Sequence, residues 1–221
     1  MINNIFNIVA FNLNNYLEKM DSDKHQLQKI VNYNKSIWGS SYRIYNEKSR
    51  ILDKSVQEII DNSIFCQKVL SREKKDYRLI KDYLEWYYTQ HVKHPAIIID
   101  LDVALASIGN TEHLANDKIY MAPNINQPSL YFMLSFAPLT SIDIMAELDN
   151  QDYEYTSDIE FINDMTYKYP EINFWSFIDY NTISVLNYQA KKVDNKKDEY
   201  EVPVLDKNYS FAYAELGLSD K

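Results

Sequence analysis

The fold of this chain depends on one apolar stretch near its middle, which is His94-Pro95-Ala96-Ile97-Ile98-Ile99-Asp100-Leu101-Asp102-Val103-Ala104-Leu105-Ala106. Its hydrophobic residues fall on both faces of an extended chain, a pattern that is typical of a strand buried on both sides. Pro95 ends the preceding segment, because the residue before a proline is pushed out of the helical region. The stretch therefore predicts a central strand that begins just after Pro95.

Upstream of Pro95 the hydrophobic residues recur with the spacing of amphipathic helices. The sequence predicts four helices, at residues 3–20, from 24 to about 39, 53–70 and 73–92. Tyr42, Ile44 and Tyr45 either continue the second helix or form a short extended piece. Cys66 lies inside the third helix, where we expect a packed thiol without a nearby base.

Downstream of Pro95 the pattern changes to short strands separated by turns. We predict strands at residues 118–122, 130–137, 174–180, 183–190, 201–205 and 209–214, and a helix from Ser157 to Pro170. Residues 140–148 fit helix and strand equally. The expected fold class is α+β: an N-terminal helical bundle or helical hairpins (residues 1–94), followed by a mostly antiparallel β-sheet half with one or two helices (residues 95–221). We expect one continuous compact unit.

The charge of the chain is divided between these two regions. Residues 1–95 carry a net charge of +4 and residues 96–221 a net charge of −13. An acidic surface repels phosphates, so no nucleic-acid partner is expected for the second region. The chain has only three glycines, too few and too scattered for a phosphate-cradling loop, which excludes Walker-type and Rossmann-type nucleotide binding.

Several features predict a cytoplasmic location, in a host cytoplasm or a virion. The chain has one cysteine, which fits a reducing compartment. Its first residues lack the charged and apolar regions of a signal peptide. No apolar run approaches the roughly 20 residues that span a bilayer. We therefore expect no membrane association, and no motif predicts a cofactor.

Asp100 and Asp102 are the sharpest local signal for chemistry. Two residues apart on a strand, they would point to the same face, a spacing that suits Mg²⁺ binding or a nucleophile with a general acid. The motif Ile97–Asp102 resembles the first motif of haloacid-dehalogenase-type phosphohydrolases and the paired-aspartate motif of some glycosyltransferases. It departs from the phosphohydrolase pattern at Ala104, where threonine or valine is expected, and no later Gly-Asp motif follows. Alternatively, the two aspartates are structural and lie at a strand end or face a basic helix such as Arg72–Lys81.

Residues 143–179 are the part of the chain that is densest in acidic residues, and they are also rich in aromatic residues. This composition predicts a protein interface, because aromatic side chains anchor interfaces and charge steers association. Within it we select eight candidate partner-binding residues, which are Asp149, Asp152, Tyr153, Glu154, Tyr155, Asp158, Glu160 and Asp164. The alternative is a solvated acidic face above an aromatic core. No metal ligands are predicted apart from the weaker candidates Asp100 and Asp102.

These observations favour a non-enzymatic protein that acts by protein–protein contact. The first hypothesis is a structural or assembly component of a phage or contractile-tail-like particle that associates with itself; residues 3–20 resemble the opening helix of tail-terminator proteins. The second is an acidic cytoplasmic inhibitor, either a toxin immunity protein or an anti-defence protein, that binds a basic partner. The third is a Mg²⁺-dependent phosphohydrolase or transferase that uses Asp100 and Asp102.

Overall fold

A six-stranded sheet forms the centre of the protein. The computed structural model describes residues 6–14, 24–92, 95–124, 127–150, 157–178 and 182–187. In spatial order the strands are β2 (Tyr42–Tyr45), β1 (Asn7–Phe11), β5 (Ala96–Ile99), β8 (Gln127–Ser135), β7 (Ile119–Asn124) and β9 (Trp175–Phe177). β1 is parallel to β2 and β5, and β7 is parallel to β9. β8 is antiparallel to β5 and β7, so all the strands of the sheet except β8 share one direction.

Two small sheets accompany the central one. β3 (Arg50–Ile51) and β4 (Lys54–Ser55) form an antiparallel hairpin. β6 (Val103–Ile108) pairs antiparallel with β10 (Ile183–Asn187), with a register shift. The six described helices are α1 (Lys24–Trp38), α2 (Val56–Asn62), α3 (Ile64–Ser71), α4 (Tyr77–His91), α5 (Ile144–Asp149) and α6 (Asp158–Lys168).

Helices cover both faces of the sheet because its central strands are apolar on both faces. Along β5, Ile98 packs with α2–α6 into one hydrophobic core. Ile97 and Ile99 point the other way and pack with α1 and β6 into a second core. All three isoleucines are fully buried. The expectation of a central strand buried on both sides is therefore met at β5, and α4 follows the predicted fourth helix closely.

A buried asparagine on α1 fixes the second core to β6. Asn34 is fully buried, its Nδ2 donates to the carbonyl of Val103 at 2.9 Å, and its Oδ1 accepts from the amide of Leu105 at 2.9 Å. One turn later, Trp38 Nε1 donates to the carbonyl of Leu105 at 2.7 Å. These bonds satisfy backbone groups that would otherwise be buried without a partner.

The predicted N-terminal helical bundle is wrong. The first described element, β1, is an inner strand of the sheet between β2 and β5, and Tyr42–Tyr45 forms β2. Residues 8–11 are at most 3% exposed. A strand buried on both faces lacks the alternation that separates strand from helix, so its hydrophobic residues matched a helical spacing by chance. The predicted helix at 53–70 is also divided, into α2 and α3, at Ser63.

The predicted antiparallel half is wrong as well, because the sheet is mixed and mostly parallel. The strands expected near residues 118–122 and 130–137 are β7 and β8. The strands expected to meet at Asn181-Thr182 do not pair, because β9 joins the central sheet and β10 joins β6. The segments 201–205 and 209–214 lie outside the described residues. Strands from both sides of residue 94 share one sheet, and the domain boundary there stays a prediction.

Candidate functional site

An open cleft lies at the carboxyl ends of β1 and β5. In the sheet, β1 lies between β2 and β5. The chain leaves β1 toward β2 on one side and leaves β5 toward the strands on the other side, so the two connections diverge between these strands. Such a switch point leaves a crevice outside the carboxyl ends of the strands, where ligands of open α/β sheets bind. A cavity of about 430 Å³ occupies it here. It is lined by Phe11, Leu13, Tyr77, Arg78, Leu79, Lys81, Asp82, Asp100, Leu101, Asp102, Ser129, Tyr131, Ser157 and Asp158.

A tight turn places Asp100 and Asp102 at the cleft. β5 ends at Ile99, and the amide of Val103 donates to the carbonyl of Asp100 at 3.1 Å, the bond of a β-turn in which aspartate is favoured at the first position. The amide of Asp100 donates to the carbonyl of Tyr131 on β8 at 3.0 Å. Leu101 is buried, while both carboxylates line the cleft. The long strand predicted through residues 97–105 is therefore interrupted at the two aspartates.

Lys81, on α4, binds the first of these aspartates. Its Nζ contacts Asp100 Oδ1 and lies 3.1 Å from Asp82 Oδ1 and 3.4 Å from Glu85 Oε1. Only 20% of the Lys81 side chain is exposed. The sequence alternative in which the aspartates face the basic helix is thus correct for Asp100, and the same lysine belongs to the cleft wall.

Burial dominates the electrostatics of this cluster. It raises the pKa of Asp82 to about 7, although Lys81 opposes the change. Burial also raises the pKa of Glu85 well above its usual range, again against Lys81. For Lys81, burial favours the neutral form, but Asp100, Glu85 and Asp82 together raise its pKa. We therefore expect Lys81 to stay positively charged. The carboxyl groups of Asp82 and Glu85, on α4, hold protons more readily than ordinary carboxyl groups do.

The far wall of the cleft is fixed by Asp158, at the start of α6. Its Oδ2 accepts from Ser129 Oγ at 2.9 Å and from the amide of Leu130 at 2.7 Å. The N-cap of the same helix, Ser157, accepts from the amide of Glu160. On the α4 side, the guanidinium of Arg78 binds Asp76 through two hydrogen bonds of 3.0 and 2.7 Å.

The eight predicted partner-binding residues do not form one described surface. Residues 152–155, which are half of the set, lie outside the described part of the chain. Asp149 Oδ1 accepts from Ser63 Oγ and from the amide of Phe65, at the start of α3. Asp158 belongs to the cleft wall, whereas Glu160 and Asp164 lie further along α6. Partner binding by these residues stays a prediction.

Sequence reasoning missed Asp82 and Glu85 as site residues, and it named Lys81 only as the end of the basic helix Arg72–Lys81. The available signal was Glu85, a charged residue between the apolar positions of the predicted helix, four residues after Lys81. Such a residue would interrupt the buried face of an ordinary amphipathic helix, and the structure shows it fully buried.

Two features are absent from the part of the chain that the structure describes. Within the described ranges, no group of three or more His, Cys, Asp or Glu residues could hold a metal ion by itself. In the same part of the chain, no helix is both long and apolar enough to cross a membrane. The predicted cytoplasmic location stays a prediction.

Comparison with known proteins gives no family. No family model matches the sequence, and no curated protein matches it. Among solved structures, the glycosyltransferase GlyE of Streptococcus pneumoniae TIGR4 is similar with a TM-score of 0.42 and 11% identity, over 86% of this chain and 49% of that chain. A glycosyltransferase involved in the glycosylation of the major capsid of PBCV-1 is similar with a TM-score of 0.37 and 14% identity, over 78% of this chain and 83% of that chain. This chain spans about half the length of the GlyE chain.

The predicted non-enzymatic role is contradicted by these findings. Both similar structures are described as glycosyltransferases. TM-scores below 0.5 establish neither a family nor an activity for this chain. Its function is therefore argued below from the residues of the cleft.

Proposed function

We propose that this chain is a metal-dependent transferase of the glycosyltransferase type, which binds a nucleotide-activated sugar in the cleft at β1 and β5. The observation that supports the proposal is the position of Asp100 and Asp102. The motif that resembles the paired aspartates of glycosyltransferases lies in the turn after β5, at the crevice where the connections of the sheet diverge. Ligands of open α/β sheets bind at this place.

The residues present fit a divalent cation. Mg²⁺ is commonly held by one or two carboxylates together with substrate phosphates and water, without a complete cage of protein ligands. Asp100 and Asp102 supply two such carboxylates at an open cleft. A bound cation would neutralise negative charge on a diphosphate leaving group.

The other residues of the cleft suit the remaining parts of such a donor. Arg78 and Lys81 place two positive charges on the α4 wall, where they can attract phosphate oxygens. Tyr77 and Tyr131 offer ring faces to a base or a sugar. The cavity of about 430 Å³ is within the ordinary size of small-molecule sites, about 300–1,000 Å³. Nucleotide binding here needs no glycine-rich loop, so the low glycine content excludes other nucleotide-binding motifs but not this one.

The proposal is tested with a panel of nucleotide sugars. We expect the chain to release nucleoside diphosphate from at least one donor in the presence of Mn²⁺ or Mg²⁺, with water as the acceptor. Asp102→Asn should lower this rate by at least about tenfold, because it removes a charged ligand. The matched control is Asp117→Asn, which changes an exposed aspartate outside the cleft and should leave the rate unchanged.

A second readout keeps the test independent of turnover. A donor or its nucleoside diphosphate should raise the melting temperature in the presence of Mn²⁺, because a ligand that binds the folded state stabilises it. If no donor is consumed and no nucleotide raises the melting temperature, the proposed function is wrong. Equal loss of activity in Asp102→Asn and Asp117→Asn would also contradict it.

A further inference from the structure

Three carboxyl groups surround the single ammonium charge of Lys81. It contacts Asp100 on the turn after β5, and it has Asp82 and Glu85 on its own helix within 3.1 and 3.4 Å. Asp100 alone would compensate the positive charge. The two further carboxyl groups therefore need an explanation of their own.

Glu85 is the least expected of the three. Its side chain is fully buried, and neither of its carboxyl oxygens accepts a hydrogen bond. Burying a carboxyl group without hydrogen bonds is unfavourable, and each such group in a folded protein calls for an explanation. Lys81 Nζ is 3.4 Å away, so a small movement of the ammonium group away from Asp100 would bring it into full contact with Glu85.

We propose that Lys81 competes with a divalent cation for Asp100, and that Asp82 and Glu85 accept the ammonium group when the cation displaces it. This inference rests on the proposed function, because it needs the cation site at Asp100 and Asp102. Lys81 does not have to return to water in the exchange, since both alternative acceptors belong to α4 and already lie beside it. The buried charge therefore keeps a partner in both states.

The displacement of Lys81 from Asp100 links binding of the divalent cation to binding of the diphosphate donor. Lys81 occupies one oxygen of Asp100, which weakens cation binding there. A diphosphate also attracts the ammonium group, so the presence of a donor favours the same displacement. We assign this competition to Lys81 and not to the positive charge of the cleft in general. The second positively charged residue of this wall, Arg78, is held by Asp76.

The test measures Mn²⁺ binding to the full chain by isothermal titration calorimetry without nucleotide. Lys81→Met should tighten Mn²⁺ binding on the order of tenfold, since it removes a positive charge in direct contact with a ligand. Arg78→Met is the matched control, because it removes the same charge from the same cleft wall but not from Asp100. We expect its effect to be several-fold smaller.

Two further variants separate competition from simple charge and guard against misfolding of Lys81→Met. Lys81→Arg keeps the charge and can hold the carboxylate through two bonds, so it should bind Mn²⁺ more weakly than the wild type. Glu85→Gln keeps an acceptor oxygen but cannot carry the negative charge that would hold the displaced ammonium group, so it should also weaken binding. If Lys81→Met does not give a native circular dichroism spectrum, these two variants decide the question.

Each outcome has a defined meaning. Equal tightening in Lys81→Met and Arg78→Met, or unchanged affinity in Lys81→Arg, would overturn the competition while the cation site remains. If the wild type and Lys81→Met bind no Mn²⁺, or Asp102→Asn leaves binding unchanged, the cation site itself is refuted. The proposed function then fails with it.

Discussion

Replacement of Asp158 by alanine should destabilise the whole protein. Its carboxylate accepts two hydrogen bonds, from Ser129 Oγ and from the amide of Leu130, and the Leu130 side chain is fully buried. A hydrogen bond to a charged group contributes about 1.5–3 kcal/mol, and an anion in the first turn of a helix adds about 0.3–1 kcal/mol. Asp158 is only half-buried, so we expect a loss of about 3 kcal/mol in the free energy of unfolding.

Urea unfolding followed by tryptophan fluorescence measures this loss. Trp86 reports on the region directly, because its ring contacts Phe161 on α6 with ring centroids 6.0 Å apart. Asp158→Asn keeps an acceptor oxygen of the same shape and should cost only about 1 kcal/mol. Asn163→Ala, an exposed change on the same helix, should stay within about 0.5 kcal/mol of the wild type.

The result also separates two roles for Asp158. A residue that served only a partner surface could be removed without changing the stability of the free chain. If Asp158→Ala unfolds within about 1 kcal/mol of the wild type, the two hydrogen bonds do not hold the cleft wall, and our account of that wall is wrong.

Two further predictions concern buried ionisable groups. Burial raises the pKa of Asp82 to about 7, so the folded state binds this proton more tightly than the unfolded chain does, and the stability from this group falls as the pH rises from about 4 to about 7. Asp82→Asn cannot titrate, so the wild type should be more stable relative to this variant at pH 5 than at pH 8, by at least about 1 kcal/mol in urea unfolding; equal differences at both pH values would contradict this. Burial also raises the pKa of the Cys66 thiol to about 12, so Cys66 should react with a disulfide reagent at pH 8 at least about 100-fold more slowly in native protein than in urea, and rates within tenfold of each other would refute the assignment.

The elements that sequence predicts well are those whose pattern is set locally. α4 follows from apolar residues at helical spacing and an obligatory end before Pro95. β5 follows from a run of β-branched residues after that proline. Five residues of β1, in contrast, are too few to show a period, and their burial comes from neighbours that are distant in sequence. The topology of the sheet therefore could not be read from the chain.

The same distinction between local pattern and distant contacts applies to the residues of the site. The pair Asp100 and Asp102 is visible in sequence because both residues lie in one short motif. Lys81 joins them only through the packing of α4 against the sheet, across 19 residues of sequence. Asp158 reads as a surface acid in an amphipathic helix, yet it caps backbone and side-chain donors of β8.

The contacts of Asn34 make α1 a remote determinant of the turn that carries the two aspartates. Its amide binds the carbonyl of Val103, the residue that immediately follows Asp102 and closes the turn. The Asn34 side chain is hydrogen-bonded to one edge of β6, and β10 pairs with the other edge. The segment after the turn therefore cannot move relative to its neighbours without breaking buried hydrogen bonds. A substitution at Asn34, on a helix that does not line the cleft, should therefore shift the turn that carries the two carboxylates.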